Sequence, residues 1–290
     1  MSDSLNLHQK NGKYVNVDGL NIFTIDKGEG EPIVLVHGLF SSSYSYRKII
    51  DILSPNYRVI APDFPGIGFS EQLNGVYSHR LLAEILFKFL EKITNDRIHL
   101  VAYDYGGPIS FLMLNEHPEK VKSITVISSF LNLEKIFSYT PLFWLHKRFI
   151  GNLMSNFLNE KTLGYSLNHH LISKEHLLNQ DCISDYAFLL LQGSNKKNLV
   201  KMSQCIDRTV YAKKDMESGI KKMIGGRQII IGEHDRMIHY SEYEYIKQLM
   251  RLSITHFLPG KHMLIEECPV ECAEKIEMLV KTFSRKVTKN

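Results

Sequence analysis

The chain has 290 residues, 44% hydrophobic and 23% charged, which excludes a disordered or fibrous chain and allows one large α/β domain with or without an insertion. Its net charge of +4 is spread over dispersed Lys and Arg; the pairs Lys196-Lys197, Lys213-Lys214 and Lys221-Lys222 read as solvated faces, which argues against a nucleic-acid partner. No stretch reaches the length of a membrane span and "MSDSLNLHQKNGKY" has no apolar signal core, so the expected setting is soluble, reducing and cytoplasmic, without stable membrane insertion.

In chain order, "KYVNV" and "LNIFTID" flank Asp18-Gly19 and predict a hairpin. "PIVLVHG" is a continuous apolar run ending in Gly, as expected of a strand buried on both faces. "YSYRKIIDIL" has helical spacing, and "YRVIAPD" is a second buried strand. "SHRLLAEILFKFLEKI" predicts an amphipathic helix with Leu82, Ile85, Leu86, Phe89 and Ile93 on one stripe. "RIHLVAY" reads as a strand, "YGGPISFLMLNEHP" as a helix and "VKSITVISS" as a strand. The alternation then stops. From about Phe130 to Gly219 the chain reads as helical and rich in aromatics, Leu and His. Strand character returns at "RQIIIGEHD", followed by a helix ("SEYEYIKQLM"), a strand ("SITHFLPG") and a final helix ("CPVECAEKIEMLVKTF"). Such alternation implies a mostly parallel sheet covered by helices on both faces, with the helical segment inserted over one edge. Cys182, Cys205, Cys268 and Cys272 fit no metal pattern; Cys268 and Cys272, four apart in a predicted helix, read as buried thiols.

Four stretches fall just after predicted strands, where ligands bind in open α/β sheets. In "AYDYGG" the small residues Ala102, Gly106 and Gly107 flank Asp104 at the places a sharp strand-to-helix turn requires, the geometry of a nucleophile elbow. An N-cap role for Asp104 is the competing reading, but an N-cap does not need all three small residues. At a helix N-terminus a carboxylate stays ionised, and an ionised carboxylate needs no base before it attacks carbon. In "VHGLF" the amide of Leu39 can point inward and, with the amide of Tyr105, form an oxyanion hole. His37 reads as a structural hydrogen-bonding residue beside the substrate site. In "GEHDRMI", Asp235 is the candidate acid that orients a histidine, with Glu233 or a plain surface turn as competitors. In "LPGKHMLIEECP", His262 is the candidate base.

On these residues the sequence resembles the α/β-hydrolase superfamily. "HGLFSSSYSYRKI", "VIAPDFPGIGFSE" and "YDYGGPIS" look like its haloalkane dehalogenase and epoxide hydrolase branch, whose nucleophile is Asp. The resemblance implies a mostly parallel eight-stranded sheet with a helical cap: core over 1–130, cap over 131–218, core again over 219–290. It implies an alkyl ester on Asp104, hydrolysed by water that His262 activates under the orientation of Asp235. No metal or cofactor is implied. Pro65, Gly66 and Gly68 in "APDFPGIGFS" shape a structural turn.

The leaving-group machinery departs from both templates. Where haloalkane dehalogenases often carry a Trp after the nucleophile and an Asn after His-Gly, this chain has Tyr105 and Leu39. The Tyr105 hydroxyl and Trp144 are the candidate donors to a leaving group, with a cap-core aromatic as the competing role for Trp144. Tyr139, Tyr165, Tyr186 and Tyr211 are candidates by location for protonating an epoxide oxygen. The stretch "IFSYTPLFWLHKRFIGNLM" is read as a cap helix packed on the pocket roof in preference to a membrane-contacting face. The expected partner is a small apolar substrate, and the expected assembly a monomer or homodimer. An ester or lactone hydrolase of the same fold, and a non-catalytic ligand-binding protein, are the alternatives.

Overall fold

The computed structural model describes residues 1–132, 141–252 and 255–284. Its strands are β1 (Gly12–Val17), β2 (Leu20–Lys27), β3 (Pro32–Val36), β4 (Arg58–Pro62), β5 (Ile98–Tyr103), β6 (Val121–Ile127), β7 (Gly226–Gly232) and β8 (His256–Leu258). They form one eight-stranded sheet in the order β1-β2-β4-β3-β5-β6-β7-β8. The predicted hairpin joins β1 to β2 through Asp18 and Gly19, both at positive φ. β2 runs antiparallel to β4, and every later pairing is parallel. All residues of β3 and β5 are buried, because helices cover both faces.

The chain leaves β3 for β4 on one side and returns to pair β5 on the other. This reversal opens a crevice at the carboxyl ends of β3 and β5, the place where open α/β sheets bind ligands. Helix α2 (Arg47–Leu53) and the final helix, α10 (Pro269–Ser284), pack together on one layer; α3 (His79–Ile93), α4 (Gly106–Glu116) and α9 (Val210–Lys222) pack on the other. The predicted stripe of α3 places Leu82, Leu86 and Phe89 in the core. Each contributes at most about 1.5–3 kcal/mol by burial. Ser78 caps the helix by accepting from the Leu81 amide at 3.1 Å, in the ordinary manner of a Ser N-cap.

One helix escapes the sequence patterns. Helix α1 (Asp3–Asn11) starts at Ser2, buries Leu5, and bonds His8 Nε2 to Ser43 Oγ at 2.9 Å. Too few apolar residues line it for periodicity to reveal it; tertiary contacts hold it instead. The helical segment after β6 is anchored at its start by buried Glu242, which accepts from the amides of Leu131 and Asn132 at 2.7 and 2.8 Å. It continues through a 3-10 turn (Pro141–His146), α5 (Arg148–Ser155), α6 (Glu160–Ser166), a π turn (Leu167–Leu171), α7 (Gln180–Leu191) and α8 (Asn195–Gln204). Helix α7 is pinned to the core: Tyr186 donates to Glu266 Oε1 at 2.7 Å, and Asp185 accepts from the Ser2 amide at 2.9 Å and the Tyr44 hydroxyl at 2.9 Å. Helix α9, although in sequence it begins within the segment assigned to the cap, packs on α4 against the sheet. Among the described residues no helix is long and apolar enough to cross a membrane. Cys268 and Cys272 are buried free thiols, as their spacing suggests.

Candidate active site

Asp104 occupies the turn between β5 and α4 with φ 48°, a left-handed backbone that costs a non-glycine residue about 1–3 kcal/mol. The surroundings hold it there. Its N–H donates to Ile127 O at 3.1 Å, and its carbonyl accepts from the Gly107 amide at 3.0 Å and Ser129 Oγ at 2.7 Å. The small residues are needed for close approach. A Cβ on Gly106 would lie 2.6 Å from Val36 O, and one on Gly107 1.8 Å from Ser129 Oγ. The tight turn therefore presses the start of α4 onto the end of β3 and turns the Asp104 side chain into the crevice.

The two carboxylate oxygens of Asp104 have different neighbours. Oδ1 accepts from the Leu39 amide at 2.9 Å, while Oδ2 faces His262 Nε2 at 3.4 Å. On the far side of the ring, His262 Nδ1 donates to Asp235 Oδ2 at 2.9 Å. Asp235 is wholly enclosed and fully hydrogen-bonded, with Oδ1 taking the Met237 amide at 2.8 Å and Oδ2 the Tyr243 hydroxyl at 2.6 Å. Burial alone would lower the basicity of His262, but the carboxylates of Asp235 and Asp104 outweigh it and lift the imidazole to about 10. Burial likewise opposes ionisation of Asp235, yet His262 and the hydrogen bonds hold its carboxyl below the ordinary range. Asp235, His262 and Asp104 thus form a row in which the imidazole lies between two carboxyl groups.

The loop carrying His262 is tied to the cap. The amides of His262 and Met263 both donate to Leu171 O at 3.1 Å. Glu267 bridges the same two segments, accepting from the Lys261 amide at 2.8 Å and the Ser173 amide at 2.7 Å.

Asp104, Leu39, Asp235 and His262 thus meet at one point, from four separate strand ends. Other sequence candidates do not join them. His37 is buried and accepts the Phe64 N–H at Nε2 (2.8 Å), so its proton sits on Nδ1 and goes to Gly38 O at 2.7 Å. Burial pushes it down to about 4, and both ring nitrogens are spent on loop structure, the role its place in the sequence suggests. The Tyr105 hydroxyl, named as a leaving-group donor, is instead buried and given to Met202 O at 3.1 Å on α8. Its amide heads the first turn of α4, but among the described residues only the Leu39 amide bonds the Asp104 carboxylate. Trp144, the other candidate donor, stands 38% exposed. Of the cap tyrosines, Tyr186 is committed to Glu266 and Ser45, Tyr165 and Tyr211 are exposed, and Tyr139 lies outside the described residues. Glu233, the competitor of Asp235, is exposed.

The structure adds three residues that the strand-end patterns miss: Tyr243, Glu267 and Ser129. Tyr243 and Ser129 reach the site from other parts of the chain, and Glu267, although it stands in the His262 stretch, is one of two adjacent glutamates whose bonds only the fold distinguishes. The "APDFPGIGFS" turn is structural, as read: Asp63 accepts from the Ser43 and Phe69 amides at 2.7 and 3.0 Å. No cluster of metal-ligating side chains occurs among the described residues.

Residues 31–181 match the family model described as alpha/beta hydrolase fold. The chain is 26% identical to the uncharacterized hydrolase YugF of Bacillus subtilis over 91% of this chain and 96% of that one. It is 35% identical to haloalkane dehalogenase 2 of Mycobacterium tuberculosis, over 36% of this chain and 37% of that one. With the soluble epoxide hydrolase of a Corynebacterium species it shares 26% identity over 49% and 48% of the two chains. Among solved structures, a putative lipase from Acinetobacter baumannii superposes with TM-score 0.82 at 20% identity, covering 99% of this chain and 98% of that one.

Proposed function

We propose that this chain, which belongs to the alpha/beta hydrolase fold family, hydrolyses a small apolar electrophile through an ester formed on Asp104. The observation that carries this reading is the division of labour between the two oxygens of Asp104. Oδ1 is held by the Leu39 amide, while Oδ2 takes no backbone donor, faces His262 alone and is the oxygen left to attack carbon. In the first step Oδ2 forms a bond to carbon, and the carbon–leaving-group bond breaks with its electron pair on the leaving group. The carbonyl oxygen of the resulting ester is Oδ1, already at its donor.

In the second step His262 takes a proton from water, and the hydroxide adds to Cγ of Asp104. Negative charge then grows on Oδ1, against the Leu39 N–H. Collapse expels the alcohol oxygen, which takes the proton back from His262, and the carboxylate returns. The net change is substrate plus water to alcohol, leaving anion and proton. The charges time this exchange. While Asp104 is anionic, two carboxylates keep His262 protonated; esterification removes one of them. The imidazole then gives up its proton more readily and becomes a base at the step that needs one.

The donors available to the leaving group bear on the substrate class. An epoxide oxygen departs as an alkoxide and needs a proton, whereas a halide departs as a stable anion. The described cap tyrosines and the Tyr105 hydroxyl are committed elsewhere or exposed, so neither the proton donor an epoxide needs nor the Trp and Asn that usually hold a halide is found among the described residues, and the reading covers both haloalkane-type and epoxide-type electrophiles. The test is covalent trapping. His262→Gln is exposed to haloalkanes, epoxides, esters and lactones, and the intact mass and peptide map are read. An adduct on Asp104 is expected, of alkyl mass from a haloalkane or of hydroxyalkyl mass from an epoxide. An adduct elsewhere, or none with any compound alongside no turnover by the unmodified chain, would overturn the Asp104 ester.

A further inference from the structure

The sequence favours packing the aromatic stretch of the cap down onto the pocket; the structure turns much of it outward. On α5 and the turn after it, Phe149 is 89% exposed, Leu153 63% and Phe157 68%, and Ile150 and Trp144 are exposed beside them. Phe149 and Leu153 follow at i and i+4 on one face of α5, and Phe157 stands in the turn just beyond its end. The opposite face carries Gly151, whose backbone lies against Leu145, and the half-buried Met154. Scattered exposed apolar residues are ordinary, but a contiguous stripe of large ones marks a surface that another phase covers.

Charge identifies that phase. Residues 141–159 contain no Asp or Glu, while Lys147 and Arg148 flank the stripe, exposed. Neither forms an ion pair among the described residues. Helix α5 packs on α8, which adds Lys196, Lys197 and Lys201 and again no carboxylate. An apolar stripe bordered by cations and lacking anions fits the interface of a negatively charged bilayer, where aromatic and aliphatic side chains enter the acyl boundary and basic ones meet the headgroups. Beneath the stripe, Leu145, Met154, Phe157, Leu158, Lys161 and Tyr165 line a recess of about 270 Å³ that is almost entirely apolar. Phe157 belongs to both the stripe and the recess, so a lipid chain or an apolar solute leaving the bilayer meets this cavity first.

We infer that α5 docks this protein onto anionic lipid surfaces, lying in the plane of the interface without crossing it. The test uses the full chain and vesicles of phosphatidylcholine with and without phosphatidylserine. Co-sedimentation with the phosphatidylserine vesicles is expected, weakening as salt rises. The double variant Phe149→Ser/Leu153→Ser should lose at least about tenfold in partitioning, and Lys147→Glu/Arg148→Glu should lose the preference for anionic vesicles. These side chains are exposed and distant in sequence from Asp104, so folding and turnover of a water-soluble substrate should be unchanged; vesicle binding is read without reference to activity and stands apart from the Asp104 chemistry. Failure of the unmodified chain to bind either vesicle would overturn the inference. So would a dimer in sedimentation velocity that the Phe149→Ser/Leu153→Ser variant dissolves while neither vesicle is bound, since a second copy would then be what covers the stripe.

Discussion

Tyr243 donates its hydroxyl to Oδ2 of Asp235 at 2.6 Å, the same oxygen that receives Nδ1 of His262. In the proposed mechanism Tyr243 is therefore a positioning residue, acting through Asp235. Removing the bond with Tyr243→Phe takes a neutral donor from a buried carboxylate, an effect of about 1.5–3 kcal/mol. Expressed in turnover, this is a fall in kcat of about ten- to a hundredfold. The hydroxyl helps keep the Asp235 carboxyl low, so the acid limb of the kcat profile should move to higher pH. A loss of thermal stability with an unmoved pH profile would reduce Tyr243 to a packing role.

His262 should be an imidazolium across the neutral range, because two carboxylates face it and lift it to about 10. Asp104→Asn removes one of them, and the histidine should then titrate at lower pH. Heteronuclear NMR of the imidazole nitrogens follows this directly. An identical titration in both proteins would mean that Asp104 does not sense His262, and would remove the charge-timing argument for the second step.

Tyr105→Phe separates two roles for that side chain. Its hydroxyl is committed to Met202 O on the cap, so the variant should lose about 1 kcal/mol of stability and keep kcat/KM within a few-fold. A collapse of kcat with stability intact would restore Tyr105 as a leaving-group donor.

Folding stability should fall on the acid side well before most carboxylates titrate. His8, His37, His79 and His99 are each pushed from 6.5 to about 4 chiefly by burial. Below about 6.5 the unfolded chain takes up protons that the folded chain refuses, so stability is lost as pH falls from there toward 4. Asp63, raised by burial to about 6, works in the opposite sense and offsets part of this. On the alkaline side, the stability that His262 contributes is complete below about 6.5 and is lost as pH rises through about 10. Urea midpoints across this range check both limbs, and the alkaline one should flatten in His262→Gln. A flat midpoint between pH 6.5 and 4 would contradict the neutral buried histidines.

Gly68 is the position where substitution should cost most in the structural turn. Its φ is +60°, and an added Cβ would sit 2.1 Å from Asp63 Oδ2. Gly68→Ala combines left-handed strain with displacement of a carboxylate that holds two amides, and should destabilise by about 2–4 kcal/mol, read as a fall in the urea midpoint. A change below about 0.5 kcal/mol would show that the turn relaxes freely.

What this sequence determined by itself was whatever is local and periodic. Continuous apolar runs announced β3 and β5, a 3.6-residue stripe announced α3, and three small residues around Asp104 announced the turn. Their places just after predicted strands then nominated Asp104, Asp235 and His262, because the strand ends of such a sheet lie on one rim. Only the tertiary structure decided which polar groups remained available there. The Tyr105 and Tyr186 hydroxyls and both nitrogens of His37 resemble site residues in sequence, yet each is spent on a distant backbone or carboxylate. Tyr243 and Glu267 show the reverse: they have no local signature, yet they fix Asp235 and the His262 loop. The outward stripe of α5 belongs with them, since periodicity gives a helix an apolar face but not the direction it looks. A side chain's type is written in the sequence; its hydrogen-bond partner and its exposure are set by packing between elements far apart in the chain.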